Sequence, residues 1–148
     1  MSDLRELYQE VILDHSKRPR NFGRLDESNR QAAGHNPLCG DKLMVYLAVR
    51  DGVIHDVAFQ GDGCAISKAS ASLMTETIKG KTEDEVRALF GRFHDVMTKD
   101  DAADPEDLDK LAVFGGVREF PVRVKCATLP WHTLIAALEG AKTPVKTE

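Results

Sequence analysis

The chain has 148 residues, which is long enough to bury a core as one domain without disulfides. Apolar and charged fractions of 42% and 30% are ordinary for a globular protein, and the net charge of -4 provides no overall attraction to nucleic acid or anionic membranes. The charged N-terminal residues do not resemble a signal peptide, and no apolar run approaches the roughly 20 residues of a membrane span. We therefore expect a cytoplasmic protein whose partners include neither nucleic acid nor membrane.

The first part of the chain predicts one helix and a small sheet. Apolar residues recur at helical spacing over about Asp3–His15, and Pro19 follows as a stop signal. Asp51 and Gly52 form a hairpin turn signal between two apolar, β-branched runs. The strands are expected at Arg30–Gly34, Asp41–Val49 and Val53–Gln60.

Two further helices are predicted after the sheet. Cys64 begins a stretch with helical rhythm and many small residues, and Gly80 suits the C-terminal end of that helix. Thr82 and Glu85 have the spacing of a capping box, which predicts that a second helix begins there. The acidic stretch 94–107 has no apolar period, so it predicts an exposed loop.

The last third of the chain predicts a short helix over about 104–116 and an extended or loop segment over Val117–Cys126. A final helix is predicted after that segment, with Pro130 tolerated in its first turn. The tail 141–148 is predicted to be mobile. Together the elements indicate an α+β fold, in which a small antiparallel sheet of about three strands packs with helices.

The three cysteines are the main candidates for chemistry. The chain has three cysteines: Cys39, Cys64 and Cys126. Because this number is odd, a disulfide framework would leave one thiol without a disulfide. The predicted helices place Cys64 and Cys126 near helix N-termini, where unpaired N–H groups and the macrodipole lower the pKa of a thiol. Such thiols are suited to binding metal or to sulfur chemistry.

Asp41 lies beside Cys39 in sequence, and three thiolates with one carboxylate make a tetrahedral zinc set: Cys39, Asp41, Cys64 and Cys126. The spacing has no CxxC pair, however, and three cysteines buried as small apolar residues are a common alternative. Arg123 belongs to a basic group that leads into the third cysteine. This group is suited to an acidic partner or an anionic sulfur species, and equally to an ordinary solvated surface.

Four stretches carry a resemblance to a known family: "LYQEVILDHSKRPRN", "NPLCGD", "GDGCAISKASASLM" and "FPVRVKCATLPWHTL". In this order they resemble the SufU branch of the IscU-like family, the U-type proteins of iron–sulfur cluster assembly. The resemblance covers nearly the whole chain. It implies the U-type α+β fold as a single domain over 1–140, with a SufU-like insertion at about 94–116.

The resemblance also implies a function and a site. Cys39, Asp41, Cys64 and Cys126 are expected to bind Zn²⁺, and Cys39 is expected to accept persulfide sulfur from a PLP-dependent cysteine desulfurase of the SufS type. During docking, a histidine of the desulfurase would replace one zinc ligand and release the acceptor thiolate. Arg123 matches an arginine associated with partner docking. The activity would be that of a sulfurtransferase that acts only with its desulfurase and serves downstream iron–sulfur assembly proteins.

The alternative function is an IscU-type scaffold, on which a 2Fe–2S cluster is built and passed on by the same ligands. In that case iron or the cluster would replace zinc. IscU-type scaffolds usually carry a histidine before the third cysteine, where this chain has Lys125. That difference and the predicted insertion favour the SufU-like function. Pro130 departs from the family pattern and is expected to affect helix entry more than the ligands.

Overall fold

Helices and one sheet make up the computed structural model, which describes residues 2–37, 40–98, 111–115, 117, 120–140 and 144–146. The α-helices in these residues are α1 (Ser2–Lys17), α2 (Ala65–Ile78), α3 (Glu83–Thr98) and α4 (Pro121–Glu139). The strands are β1 (Arg30–Asn36), β2 (Asp41–Arg50), β3 (Val53–Asp62) and β4 (Val145–Lys146). None of the described helices has the length and apolar character needed to cross a membrane.

The sheet has the strand order β3-β2-β1-β4. The first three strands pair antiparallel, as predicted, and β2 and β3 are joined by a turn in which Asp51 and Gly52 both have positive φ. This is the type I′ hairpin conformation that an Asp-Gly pair favours. β4 pairs parallel with β1, and Val145 is aligned with Gly34. Residues 145 and 146 of the predicted tail thus pair with β1, while the mobility of the tail 141–148 stays a prediction.

Helices α2 and α4 connect the sheet to the rest of the core. α4 packs on β1 and β2, α2 packs on α4 and β3, and α1 packs on α2. Apolar side chains between these layers are almost fully excluded from water. The largest of them include Leu47, Phe59, Leu73, Leu129, Trp131 and Leu134. This arrangement brings one end of the sheet next to the N-terminal halves of α2 and α4.

α3 begins at the predicted capping box and ends later than predicted. The Thr82 N–H donates to Glu85 Oε1 at 3.0 Å, and the Glu85 N–H donates to Thr82 Oγ1 at 3.1 Å. The helix continues to Thr98, with Val96 and Met97 buried, so the predicted loop is wrong over residues 94–98. These apolar residues extend the buried face of the helix by one more turn, although acidic residues follow them in the sequence.

The segment between α3 and α4 is described only in part. Residues 111–115 form a short 3-10 helix, and Phe114 packs edge-on against Phe93 of α3 with ring centroids 6.0 Å apart. Residues 99–110 and 116, which belong to the predicted loop, helix and insertion, lie outside the described residues. The boundaries of the domain and of the insertion remain predictions.

α4 begins five residues before Cys126, so the predictions of an extended Val117–Cys126 segment and of a later helix start are wrong over 121–126. Pro121 takes the first helical position, where a missing N–H costs nothing, and the N–H of Val124 donates to the Phe120 carbonyl. Pro130 therefore lies inside the helix and is buried. Of the two prolines in α4, Pro121 and not Pro130 is the one at which the helix begins.

Candidate metal centre

Three ligand-type side chains come together at the end of the sheet that faces α2 and α4. One carboxylate oxygen of Asp41, Cys64 Sγ and Cys126 Sγ all lie within 4.8 Å of one another. Asp41 and Cys126 are completely buried, whereas Cys64 is partly exposed. A buried carboxylate and two thiols at this distance are costly to assemble unless they bind a cation or share protons.

Asp41 is held at the start of β2. Its Oδ1 accepts a hydrogen bond from the backbone N–H of Cys64 at 2.8 Å, and its Oδ2 lies 3.8 Å from Cys64 Sγ. The antiparallel pairing of Lys42 with Asp62 brings this end of β2 beside the end of β3, from which the chain enters α2. The hairpin therefore positions the carboxylate against the N-terminus of α2.

Cys64 is the N-cap residue of α2, as predicted, and its Sγ accepts a hydrogen bond from the Ser67 N–H at 3.4 Å. A hydrogen bond with Cys126 and those from the Ser67 and Ile66 N–H groups lower the pKa of the Cys64 thiol to about 6, although burial and the charge of Asp41 oppose this shift. The ordinary value for cysteine is about 8.5. The hydrogen bond with Cys126, followed by the N–H groups at the helix N-terminus, therefore stabilises a thiolate at Cys64.

Cys126 lies in the second turn of α4, not at a helix N-terminus, so that part of the prediction is wrong. Asn36 Nδ2 donates to Cys126 Sγ at 3.8 Å, and Asn36 is itself completely buried at the end of β1. Ser70 of α2 donates to the Ala127 carbonyl at 2.5 Å, which ties the two cysteine-bearing helices together. The position of Cys126 thus depends on packing between elements that are far apart in sequence.

The remaining predicted residues are placed as follows. Cys39, the expected persulfide acceptor, lies outside the described residues. Arg123 is exposed on the first turn of α4, one helical turn before Cys126. Sequence reasoning missed Asn36 and Gly63, which both contact the cluster. Asn36 stands in the quoted "NPLCGD" stretch, which was the available signal.

The donor set fits zinc. Zinc prefers four tetrahedral ligands and accepts thiolate sulfur with carboxylate oxygen. Asp41, Cys64 and Cys126 supply one oxygen and two sulfurs at mutual distances that a single ion can bridge. The thiolate form of Cys64, which the hydrogen bond with Cys126 and the helix N–H groups favour, is the protonation state that a metal requires.

Comparison with known proteins gives consistent matches. The family model described as the NifU-like N terminal domain matches residues 7–127. The chain is 41% identical over 142 residues to the zinc-dependent sulfurtransferase SufU of Bacillus subtilis, covering 94% of this chain and 96% of that one. It is 37% identical over 139 residues to the iron–sulfur cluster assembly scaffold protein IscU of Streptococcus pyogenes, covering 94% and 87%.

Solved structures agree with the fold. The chain superposes on FiSufU from Fervidobacterium islandicum AW-1 with a TM-score of 0.83 and 36% identity, covering 90% of this chain and 97% of that one. It also matches the N-terminal part of a NifU-like protein from Brucella abortus with a TM-score of 0.82 and 30% identity, covering 93% and 95%. The predicted α+β fold is confirmed by this likeness.

Proposed function

Because the chain belongs to the NifU-like N-terminal domain family, with the SufU and IscU proteins of iron–sulfur cluster assembly among its relatives, we propose that it is a zinc-dependent sulfur acceptor for a cysteine desulfurase. The desulfurase would be a PLP-dependent enzyme of the SufS type. The observation that carries the proposal is the cluster of Asp41, Cys64 and Cys126, in which Asp41 and Cys126 are buried. The name of the Bacillus subtilis relative supports the choice of zinc and of sulfur transfer.

Asp41, Cys64 and Cys126 would hold the metal, with Cys39 as the fourth ligand. The chain links Cys39 to Asp41 through Gly40 alone. When bound, zinc keeps its cysteine ligands as thiolates and protects them from oxidation. The stability of the Cys64 thiolate next to the α2 N-terminus supports this role for the site.

Cys39 would carry the transferred sulfur. Its thiolate attacks the terminal sulfur of the persulfide on the desulfurase cysteine; a new S–S bond forms on Cys39, and the old S–S bond breaks to leave a thiolate on the desulfurase. The step exchanges one S–S bond for another, so it needs no oxidant or reductant. Cys126 is completely buried, which makes it a poor candidate for attack on a sulfur atom of another protein.

The surface beside the site supports docking of a partner. Arg123 is exposed one helical turn before Cys126 and follows the exposed Phe120 and Val122. An arginine can pair with a carboxylate of a partner in a bidentate arrangement, which adds direction to the contact. We assign Arg123 to docking of the desulfurase, and the chain to sulfurtransferase activity that depends on this partner.

A second candidate function is an IscU-type scaffold that assembles a 2Fe–2S cluster as its cargo. The 37% identity with the Streptococcus pyogenes relative, which is named a scaffold, favours this alternative. The same cysteines could ligate a cluster. Lys125, at the position before the third cysteine, favours the zinc-dependent function over the scaffold.

The test combines metal analysis with mapping of the persulfide. Protein purified from its native host should be colourless and contain one zinc per chain, and incubation with the desulfurase and cysteine should place a persulfide on Cys39. Cys39→Ser should abolish that adduct, because a hydroxyl cannot carry it. A persulfide on Cys64 or Cys126 and not on Cys39 would contradict the assignment. A brown protein with a stable cluster and no zinc would favour the scaffold.

Asp41 variants separate metal binding from transfer. Asp41→Cys adds a soft ligand, so it should retain zinc at least as firmly and lose sulfur transfer. Asp41→Ala should retain zinc less well. Asp26→Ala is a suitable control, since Asp26 is exposed and precedes the opposite end of β1. If zinc-loaded Asp41→Cys transferred sulfur as fully as the unsubstituted chain, the Asp41 carboxylate would not be needed for release of a zinc ligand during transfer.

A further inference from the structure

Gly63 lies against the carboxylate of Asp41, which leaves no room for a side chain at residue 63. A Cβ atom added at residue 63 would lie 2.8 Å from Asp41 Oδ1 and 3.2 Å from Asp41 Cγ. The first distance is shorter than real Cβ atoms show. A side chain at position 63 is therefore incompatible with the observed position of Asp41.

The backbone at Gly63 does not itself require glycine. Gly61, two residues earlier, has φ +145, and a Cβ there would collide with the Lys42 carbonyl, so its glycine is explained by the backbone alone. Gly63 is not among the glycines with positive φ. The three nearest atoms to a Cβ placed there, neighbouring residues in the chain left aside, all belong to Asp41. The carboxylate is therefore the reason for the glycine at this position.

The Asp41 oxygen that lies nearest to Gly63 is the one that accepts a backbone hydrogen bond. Asp41 Oδ1 faces residue 63 and accepts the Cys64 N–H at 2.8 Å. Oδ2 faces Cys64 Sγ at 3.8 Å, on the side of the thiol cluster. The two oxygens of one carboxylate thus have different surroundings, one facing backbone and the other facing thiols.

We propose that Gly63 is a positioning residue, which lets Asp41 Oδ1 dock on the Cys64 amide and leaves Oδ2 as the single oxygen presented to the metal. The inference rests on the proposed metal site and deepens it, because it specifies which oxygen binds and what orients it. A ligand oxygen is oriented by hydrogen bonds outside the coordination sphere, and loss of such a contact typically costs about 10- to 100-fold in metal affinity. Gly63 acts indirectly, because its lack of a side chain leaves room for Asp41 Oδ1 to accept that hydrogen bond.

Gly63→Ala in the full chain tests the proposal. We expect zinc to be released to a chromogenic chelator at least about 10-fold faster. The absorption spectrum of the Co²⁺-substituted variant should shift toward that of Asp41→Ala. Gly91→Ala is the matched control, because a Cβ at Gly91 in α3 meets nothing within 4 Å. Unchanged zinc release and an unchanged cobalt spectrum in Gly63→Ala would overturn the proposal.

A double-mutant cycle shows whether Gly63 acts through Asp41. In an Asp41→Ala background the carboxylate is gone, so Gly63→Ala should have no further effect on zinc release. If Gly63→Ala accelerates release equally in both backgrounds, it acts through α2 or Cys64 and the proposal fails. The melting temperatures of all variants, measured in parallel, identify any variant that loses zinc by unfolding.

A measurement without metal separates this inference from the proposed function. In metal-stripped protein, hydrogen exchange of the Cys64 amide should be slowed by its bond to Asp41. Exchange should accelerate in both Gly63→Ala and Asp41→Ala. If the unsubstituted chain bound neither zinc nor cobalt, the proposed metal site would be wrong. The exchange rate of the Cys64 amide would still show whether Gly63 positions Asp41, because that measurement needs no metal. Equal exchange in all three proteins would overturn the positioning role.

Discussion

The hydroxyl of Ser70 donates to the backbone carbonyl of Ala127 at 2.5 Å, and this buried hydrogen bond joins α2 to α4. Ala127 follows Cys126, and Ser70 lies in the helix that Cys64 caps. The bond therefore helps set the separation of the two thiols. Both residues are essentially excluded from water, so no solvent replaces the bond when it is lost.

Ser70→Ala should lower the free energy of unfolding by about 1 kcal/mol and weaken zinc retention at the same time. Urea denaturation and the rate of zinc release measure the two effects. Thr77→Val is the matched control, because the Thr77 hydroxyl donates to the Leu73 carbonyl within α2 itself. Equal zinc release from Ser70→Ala and Thr77→Val would mean that this bond does not position the thiols.

Gly34→Ala should destabilise the packing of α4 on β1. An added Cβ would collide with Thr133 Oγ1 and lie 3.2 Å from Leu129 Cδ1, so we expect a loss of about 1–3 kcal/mol in the free energy of unfolding. Thr133→Ala should recover part of that loss in the double variant, because it removes the colliding hydroxyl. Gly91→Ala again serves as control. A purely additive double variant would contradict this contact as the cause.

His132 makes stability depend on pH. Burial and the neighbouring His94 lower the pKa of His132 in the folded protein, whereas the unfolded chain keeps a value near 6.5. The unfolded state therefore binds the proton more readily, and stability should fall as the pH drops from about 6.5 through the lowered pKa. His132→Gln should show a smaller decrease in melting temperature than the unsubstituted chain when the pH is lowered from about 7.5 to about 5.

The exposed His55 provides the comparison for that experiment. His55→Gln should retain the full pH dependence of the unsubstituted chain. An identical pH dependence in His132→Gln and His55→Gln would show that His132 does not contribute to it.

Removal of zinc should lower the melting temperature. Asp41, Cys64 and Cys126 come from β2, the N-cap of α2 and the second turn of α4, so a bound metal joins elements that are distant in sequence and binds the folded state preferentially. Zinc at about 1,000 times its dissociation constant would contribute about 4 kcal/mol, which corresponds to a shift on the order of 10 °C for a chain of this size. Calorimetry before and after chelation measures the shift.

Restoring zinc to the chelated protein should return the original melting curve. The Cys126→Ala variant should show little response to chelation, because it lacks a buried ligand. An unchanged curve after verified removal of zinc would contradict a contribution of the metal to stability.

Arg123→Ala should impair activation of the desulfurase more than folding. Arg123 is exposed, and substitutions at such positions usually change stability by no more than about 0.5 kcal/mol. Desulfurase turnover at several concentrations of the variant should show weaker apparent binding. Arg50→Ala is the control, since Arg50 is exposed at the other end of β2 from Asp41. Equal activation by both variants would reduce Arg123 to an ordinary surface charge.

The sequence by itself determined those features that depend on neighbours along the chain. The Asp51-Gly52 turn, the Thr82–Glu85 capping box and the start of α2 at Cys64 all follow from local backbone preferences and short-range hydrogen bonds. The residues proposed as metal ligands could also be picked out from the sequence, because each of them lies in a short contiguous motif.

Only the tertiary structure decided the features that depend on distant contacts. Pairing with β1 holds Val145, and packing of α4 on the sheet accommodates Pro130 inside the helix and places Cys126 in its second turn. Local propensity does not specify the pairing of Val145, which needs β1 as a partner. Pro130 is kept inside the helix because burial against remote elements outweighs the cost of a proline there. The roles of Asn36 and Gly63 also required the structure, since each is defined by a residue that only folding brings into contact.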